Sequence, residues 1–163
     1  MGGQMDISAI QSCRLMDISL PKRYLKNFLG PKIGSDKIKE RSKSLDRPML
    51  GGIVKPKTGL TVDELKNVCI EMVRGGVDFI KEDEILSDPE CCPFKKRVEI
   101  VNDAVQNEAS KIGKEVFYAP CINSDLPYLV DKLEFLVKKK IKAYHLNIWT
   151  GLATYRYLRS FDH

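Results

Sequence analysis

Gly75-Gly76-Val77-Asp78-Phe79-Ile80-Lys81-Glu82-Asp83-Glu84 is the stretch on which the reading of this chain turns. A glycine pair precedes a short apolar run, Val77 to Ile80, the pattern of a buried strand. That strand runs straight into a lysine set among carboxylates. In a parallel α/β protein the carboxyl end of a strand is where chemistry is placed. Asp83 lies two residues beyond Lys81, so strand periodicity puts both side chains on one face, and Glu84 follows where the chain turns outward. Glu82 points to the opposite face and receives no ligand role. Taken alone, Lys81 to Glu84 also fits a solvated charge run closing a strand. The rest of the chain decides between the two.

Upstream of it, Met49 to Val54 is an apolar, glycine-containing strand that stops at Lys55-Pro56-Lys57. Thr61 with Glu64 three residues later forms a capping box that opens a helix. Leu65, Val68, Cys69, Met72 and Val73 give that helix one apolar stripe, and Gly75-Gly76 ends it. Downstream, Phe94, Val98, Val101 and Val105 mark a second helix ending near Gly113, and Val116 to Ala119 is a third strand. Asp125 can cap a helix with Pro127 in its first turn, whose stripe is Leu129, Val130, Leu133, Leu136 and Val137. Ala143 to Trp149 is a fourth strand, Gly151 turns the chain, and Leu152 to Phe161 starts a fourth helix. Strand and helix alternate four times, which predicts an α/β fold with a parallel sheet and right-handed crossovers. Before all this, Arg14 to Leu20 alternates as a strand that ends at Pro21. Lys22 to Leu29 makes a short helix before Gly30-Pro31, and Ser35 to Ser44 makes a basic, solvated surface helix.

At 163 residues, with 43% hydrophobic and 30% charged content, the chain can bury a core and has the make-up of an ordinary soluble globule. No apolar run approaches the roughly 20 residues that span a bilayer, and the first residues lack a secretory pattern. The net charge of +5 is mild and its lysines are scattered with few interleaved aromatics, so neither nucleic acid nor membrane is an expected partner. Five cysteines (Cys13, Cys69, Cys91, Cys92, Cys121) are an odd number without zinc-type spacing, which points to a reducing, cytoplasmic location. Cys91 and Cys92 are expected as ordinary loop cysteines and Cys121 as a small core residue. His145 and Asn147 share a strand face at the same end as Lys81, with His145 expected to be packed or hydrogen-bonded.

Gly52-Ile53-Val54-Lys55-Pro56-Lys57-Thr58-Gly59-Leu60 followed by Gly75 to Glu84 resembles the catalytic barrel of the RuBisCO large subunit and the RuBisCO-like proteins. Arg14 to Pro21 and Phe28 to Pro31 resemble the family's approach to its first barrel strand, and Pro93-Phe94 and Arg97 match its spacing after the metal motif. The resemblance covers nearly the whole chain. It implies the first half of a TIM (β/α)8 barrel, with residues 1–48 as a lead-in segment and residues 49–163 as a partial barrel domain carrying strands 1–4. It further implies that Lys81 reacts with CO2 to give a carbamate, which binds Mg2+ together with Asp83 and Glu84. Lys55 is by resemblance the base or proton shuttle for enolising a phosphorylated ketose, and Lys57 stabilises the bound substrate or intermediate. A homodimer or higher homo-oligomer of the complete chain is the implied assembly.

Departures from the family pattern set the substrate expectation. Ile53 stands where carboxylases commonly carry Thr, Ile85 where they tend to carry Asn, and Cys121 in place of a usual Asn. These losses of polar groups weaken the case for ribulose bisphosphate. The region Ile85 to Arg97 resembles more closely the RuBisCO-like proteins that enolise or isomerise thio-sugar phosphates of methionine salvage, with ribulose-bisphosphate carboxylase (carbon fixation) as the rival. Four strands are half of what a closed barrel needs, so the chain is expected to be a fragment. The resemblance places the phosphate-binding glycines and a catalytic histidine in the missing half. A non-catalytic remnant or interaction module is the alternative of another class.

Overall fold

In a computed structural model of the chain, which describes residue 12 and residues 14–161, the polypeptide divides into two units, Met1–Lys32 and Ile33–His163. In the first unit α1 is a single turn, Lys22–Leu25, shorter than the sequence predicts. The next amides, Asn27 and Phe28, bond three residues back to Tyr24 and Leu25, which tightens the chain into turns. The predicted strand Arg14 to Leu20 is extended and exposed, and it pairs with no strand among the described residues. Alternation alone does not make a strand without a partner edge.

In the second unit α2, Ser35–Arg41, is less solvated at its end than its composition suggests. Ser42 and Ser44 are buried and hydrogen-bonded to one another at 2.8 Å. Arg41 closes a two-pronged ion pair on Glu115, both contacts at 2.8 Å.

The sheet is parallel, β1 (Gly51–Ile53), β2 (Phe79–Lys81) and β3 (Phe117–Ala119), in that spatial order with β2 central. Ile53 is opposite Lys81, which is opposite Ala119. β1 lies close on β2 because Gly51 has no side chain. A Cβ there would fall 1.9 Å from the Phe79 ring. Helices α3 (Val62–Arg74), α4 (Phe94–Lys111), α5 (Leu126–Lys138) and α6 (Leu152–Ser160) follow as the apolar stripes predict. The capping box forms in full, with Thr61 Oγ accepting from the Glu64 amide and Glu64 accepting from the Thr61 amide. Asp125 holds the N-cap position of α5, yet its side chain makes no cap bond. Along the α5 stripe, Leu129, Leu133 and Leu136 are buried and Val137 is exposed.

Two apolar clusters hold these layers together. Leu65, Cys69 and Val73 of α3 pack with Val101 and Val105 of α4 and with Ile80 and Tyr118 of the sheet. Phe94, Val98, Ile122, Leu129, Leu133, Leu136 and Leu158 form the second. Cys92 lies in the first cluster, fully buried, and Cys91 is exposed, so only one of the adjacent pair is a surface loop residue.

The fourth strand is the main difference from expectation. Ala143 to Trp149 contributes one parallel bridge, His145 to Cys121, and then turns into a 3-10 helix, Ile148–Thr150. Asn147 causes the break: its side chain accepts from the Trp149 amide, and its carbonyl accepts from the Thr150 hydroxyl. Among the described residues, no helix is long and apolar enough to cross a membrane.

Candidate active site at the mouth of the central strand

β2 sorts its side chains by parity. Ile80 and Glu82 face the helices and are fully buried, whereas Phe79 and Lys81 face the other side. On that open side, four of the five predicted residues come together as two ion pairs. Lys81 Nζ lies 2.9 Å from Glu84 Oε1 and also donates to the Glu82 carbonyl at 3.0 Å. Lys55 Nζ, from the loop after β1, lies 2.5 Å from Asp83 Oδ2. The fifth, Lys57, is exposed and makes no hydrogen bond or ion pair among the described residues, although its charge acts on Asp83.

Both carboxylates are held ionised. Burial pushes Asp83 up, but the Lys55 hydrogen bond, the Ile85 amide and the charges of Lys55 and Lys57 outweigh it and set the carboxyl below its usual range. The Lys81 hydrogen bond does the same for Glu84. Asp83 is almost fully buried and Glu84 partly so. These are two hard oxygen donors, each neutralised by one lysine. Among the described residues no three His, Cys, Asp or Glu side chains are grouped to hold a metal ion.

Glu82, given no role by the sequence beyond facing away, is the anchor of the site. Its carboxylate takes Arg97 Nε at 2.9 Å and Nη2 at 3.1 Å, the Cys121 amide at 2.7 Å, and a short bond from the Tyr118 hydroxyl. Arg97 spends its other donors on the carbonyls of Cys92, Leu86 and Ser87. Both partners are completely buried. Desolvation works against the Arg97 charge, yet Glu82 more than restores it and keeps the guanidinium ionised. Burial, then the Glu82 charge, drives the Tyr118 hydroxyl far above its usual range, so it stays a donor.

Asn123 laces the strand ends together. Its side chain donates to the Glu84 carbonyl at 2.9 Å and accepts from the Asn147 amide at 2.8 Å, while Cys121 Sγ donates to the same Glu84 carbonyl at 3.3 Å. Lys132 of α5, buried, donates to Ser87 Oγ and Ser124 Oγ at 2.9 and 2.6 Å and closes the loops around it. Nothing in the sequence marked Asn123 or Lys132, which reach partners up to 39 and 45 residues away. Cys121 is a buried core residue, as expected, with its thiol raised chiefly by desolvation. His145 is packed, one of the two forms expected, and its Nε2 is buried without a hydrogen-bond partner.

Comparison with known proteins agrees with this geometry. The family "Ribulose bisphosphate carboxylase large chain, catalytic domain" matches residues 37–161. The ribulose bisphosphate carboxylase of Archaeoglobus fulgidus is 30% identical over 137 residues, covering 84% of this chain and 31% of its own length. A ribulose bisphosphate carboxylase-like protein of Allochromatium vinosum is 33% identical over 147 residues, covering 90% of this chain and 32% of its own. Among solved structures, a dimeric archaeal Rubisco from Hyperthermus butylicus superposes with a TM-score of 0.79 at 26% identity, over 85% of this chain and 33% of that one. The chain thus spans about a third of the length of the curated relatives it matches. With a parallel α/β sheet, a family match across residues 37–161 and relatives in both the carboxylase and the carboxylase-like groups, this chain belongs to the RuBisCO large-chain catalytic-domain family.

Proposed function

We propose that residues 49–163 are the first half of a (β/α)8 barrel and carry the metal-binding and proton-moving groups of a RuBisCO-family enzyme, with residues 1–48 as lead-in. The observation that carries this reading is the pairing of Lys55 with Asp83 and of Lys81 with Glu84 at the mouth of the central strand. Lys81, Asp83 and Glu84 would hold Mg2+, once Lys81 has taken up CO2 as a carbamate. Bound Mg2+ would polarise the carbonyl of a phosphorylated ketose and acidify the neighbouring C–H. Lys55, once it has given up its own ammonium proton, would take that proton, and its 2.5 Å contact with Asp83 sets its head beside the metal-binding carboxylate. Lys57, exposed on the same loop, offers positive charge to the substrate's developing anion. Glu82 and Arg97 fix the backbone from which Lys81 and Asp83 project.

The enolase or isomerase type is favoured over carboxylation. Ile53 and Ile85 present half-exposed aliphatic side chains near the site, and Cys121 is buried, so none of the three offers a free polar group to a sugar bisphosphate. Carboxylation stays the rival because relatives of both names match at similar identity. The full-length protein is a homo-oligomer in this reading, supported by the dimeric Hyperthermus butylicus relative. A cytoplasmic location is supported by the free state of all four described cysteines.

Exchange of the substrate α-proton with deuterium, followed by NMR in a chain completed to a full barrel, tests the reading. We expect exchange that requires Mg2+ and bicarbonate, is faster with a methylthio-sugar phosphate than with ribulose bisphosphate, and falls at least 100-fold in Lys55→Ala. Exchange that ignores Lys55 and Lys81 would reject it.

A further inference from the structure

Among the described residues, one buried side-chain nitrogen or oxygen has no hydrogen-bond partner, and it is Nε2 of His145. Buried polar atoms in folded proteins are nearly always hydrogen-bonded, so such an atom calls for a ligand or a reason. The backbone around it is firmly set. The His145 amide donates to the Pro120 carbonyl at 2.8 Å and the Ile122 amide donates to the His145 carbonyl at 3.0 Å, the two bonds that form the bridge to Cys121.

Register says which side the ring is on. Ala119 pairs with Lys81, and Cys121 lies two residues further along, at the height of Asp83 and on the same face. His145 is bridged to Cys121 in parallel and shares that face. The charges that act on the ring agree, since after desolvation the strongest is Lys81, followed by Glu84 and Asp83. An imidazole N–H is a hydrogen-bond donor that can face an anionic oxygen.

We propose that His145 is a positioning residue of this site, whose Nε2–H donates to the oxygen-bearing group that Lys81 acquires from CO2. This rests on the proposed function, because it needs Lys81 to be carboxylated. In that step the Lys81 ammonium first gives a proton to solvent, the freed nitrogen lone pair forms a bond to the carbon of CO2, one C=O electron pair moves to oxygen, and the nitrogen releases a second proton to solvent. The site gains a carboxylate in place of an ammonium. His145 supplies a donor for that carboxylate from the fourth-strand side, where Cys121 and Asn123 are already committed to the Glu84 carbonyl.

Carbon-13 NMR of the 163-residue chain with labelled bicarbonate and Mg2+ tests it. The unsubstituted chain should show a carbamate resonance that Lys81→Ala removes. At equal bicarbonate, His145→Leu should lower its population at least five-fold, and His145→Gln, which returns an N–H donor at similar reach, should restore most of it. An undiminished resonance in His145→Leu would overturn the proposal, as would equal loss in the Leu and Gln variants. A missing resonance in the unsubstituted chain, or one that survives Lys81→Ala, would instead overturn the carbamate reading itself, and this proposal with it.

Discussion

Lys81 and Glu82 are neighbours with opposite environments, and strand parity alone separates them. One side chain reaches the open mouth of the sheet, the other a sealed pocket with Arg97, Tyr118 and the Cys121 amide. Period-2 alternation in the sequence was enough to say that Glu82 faces away from Lys81. It was silent on Glu82's partners, which lie 15 to 39 residues away and are brought in by packing. Removing one member of a buried pair strands the other charge, so Glu82→Gln should destabilise the fold by about 3–5 kcal/mol in urea titration. Pairing it with Arg97→Met should recover part of that loss. Asp78 behaves differently because its charge is held at the sheet's other end by Arg47, at 2.6 and 2.8 Å, and by Lys114 and the Leu50 amide. The Arg47 bonds, offset in part by burial, keep its carboxyl well below the usual range. A depressed acid contributes stability in full above its unfolded value, roughly 3.9, and loses it as pH falls toward the folded value. Asp78→Asn should therefore flatten the acid limb of a stability-versus-pH curve measured between about pH 5 and pH 2.

At the scale of elements, helices were easier to read than strands. The α3 capping box and the stripe Leu65, Cys69, Val73 are local patterns with local causes, and both form. Thr61→Ala should cost about 1 kcal/mol in chemical denaturation, the usual effect of losing an N-cap. Leu133, fully buried in the second cluster, should cost more, about 2–5 kcal/mol as Leu133→Ala. Strand formation depends on neighbours that a sequence pattern does not supply. Arg14 to Leu20 has the alternation and no partner among the described residues. Ala143 to Trp149 pairs at a single position before Asn147 diverts the backbone into a 3-10 turn. The site followed the same division. Lys55, Lys81, Asp83 and Glu84 were legible because their motifs resemble the family's, with strand parity putting Lys81 and Asp83 on one face, whereas Asn123, Lys132 and the unpaired His145 nitrogen required the fold.

At the scale of the molecule, the chain spans about a third of its relatives' length. Ile148, Trp149 and Leu152 are 64%, 69% and 74% exposed, three large apolar side chains within five residues where the 3-10 turn meets α6. Clusters of this kind mark surfaces that bind protein. Trp149 is the single tryptophan, so its fluorescence reports on this surface alone. The dilute chain should emit as a solvent-exposed indole, and the emission should shift to the blue as concentration rises or when a segment carrying the remaining strands is added. Emission independent of both would mean that this surface stays open.

The joint action of Lys81, Asp83 and Glu84 is tested most directly by binding of Mn2+, a spectroscopic substitute for Mg2+, followed by electron paramagnetic resonance with and without bicarbonate. The account predicts that bicarbonate tightens binding at least ten-fold, that Lys81→Ala abolishes this gain, and that Asp83→Asn weakens binding in both conditions. Binding that is indifferent to bicarbonate, or equally strong in Lys81→Ala, would contradict it.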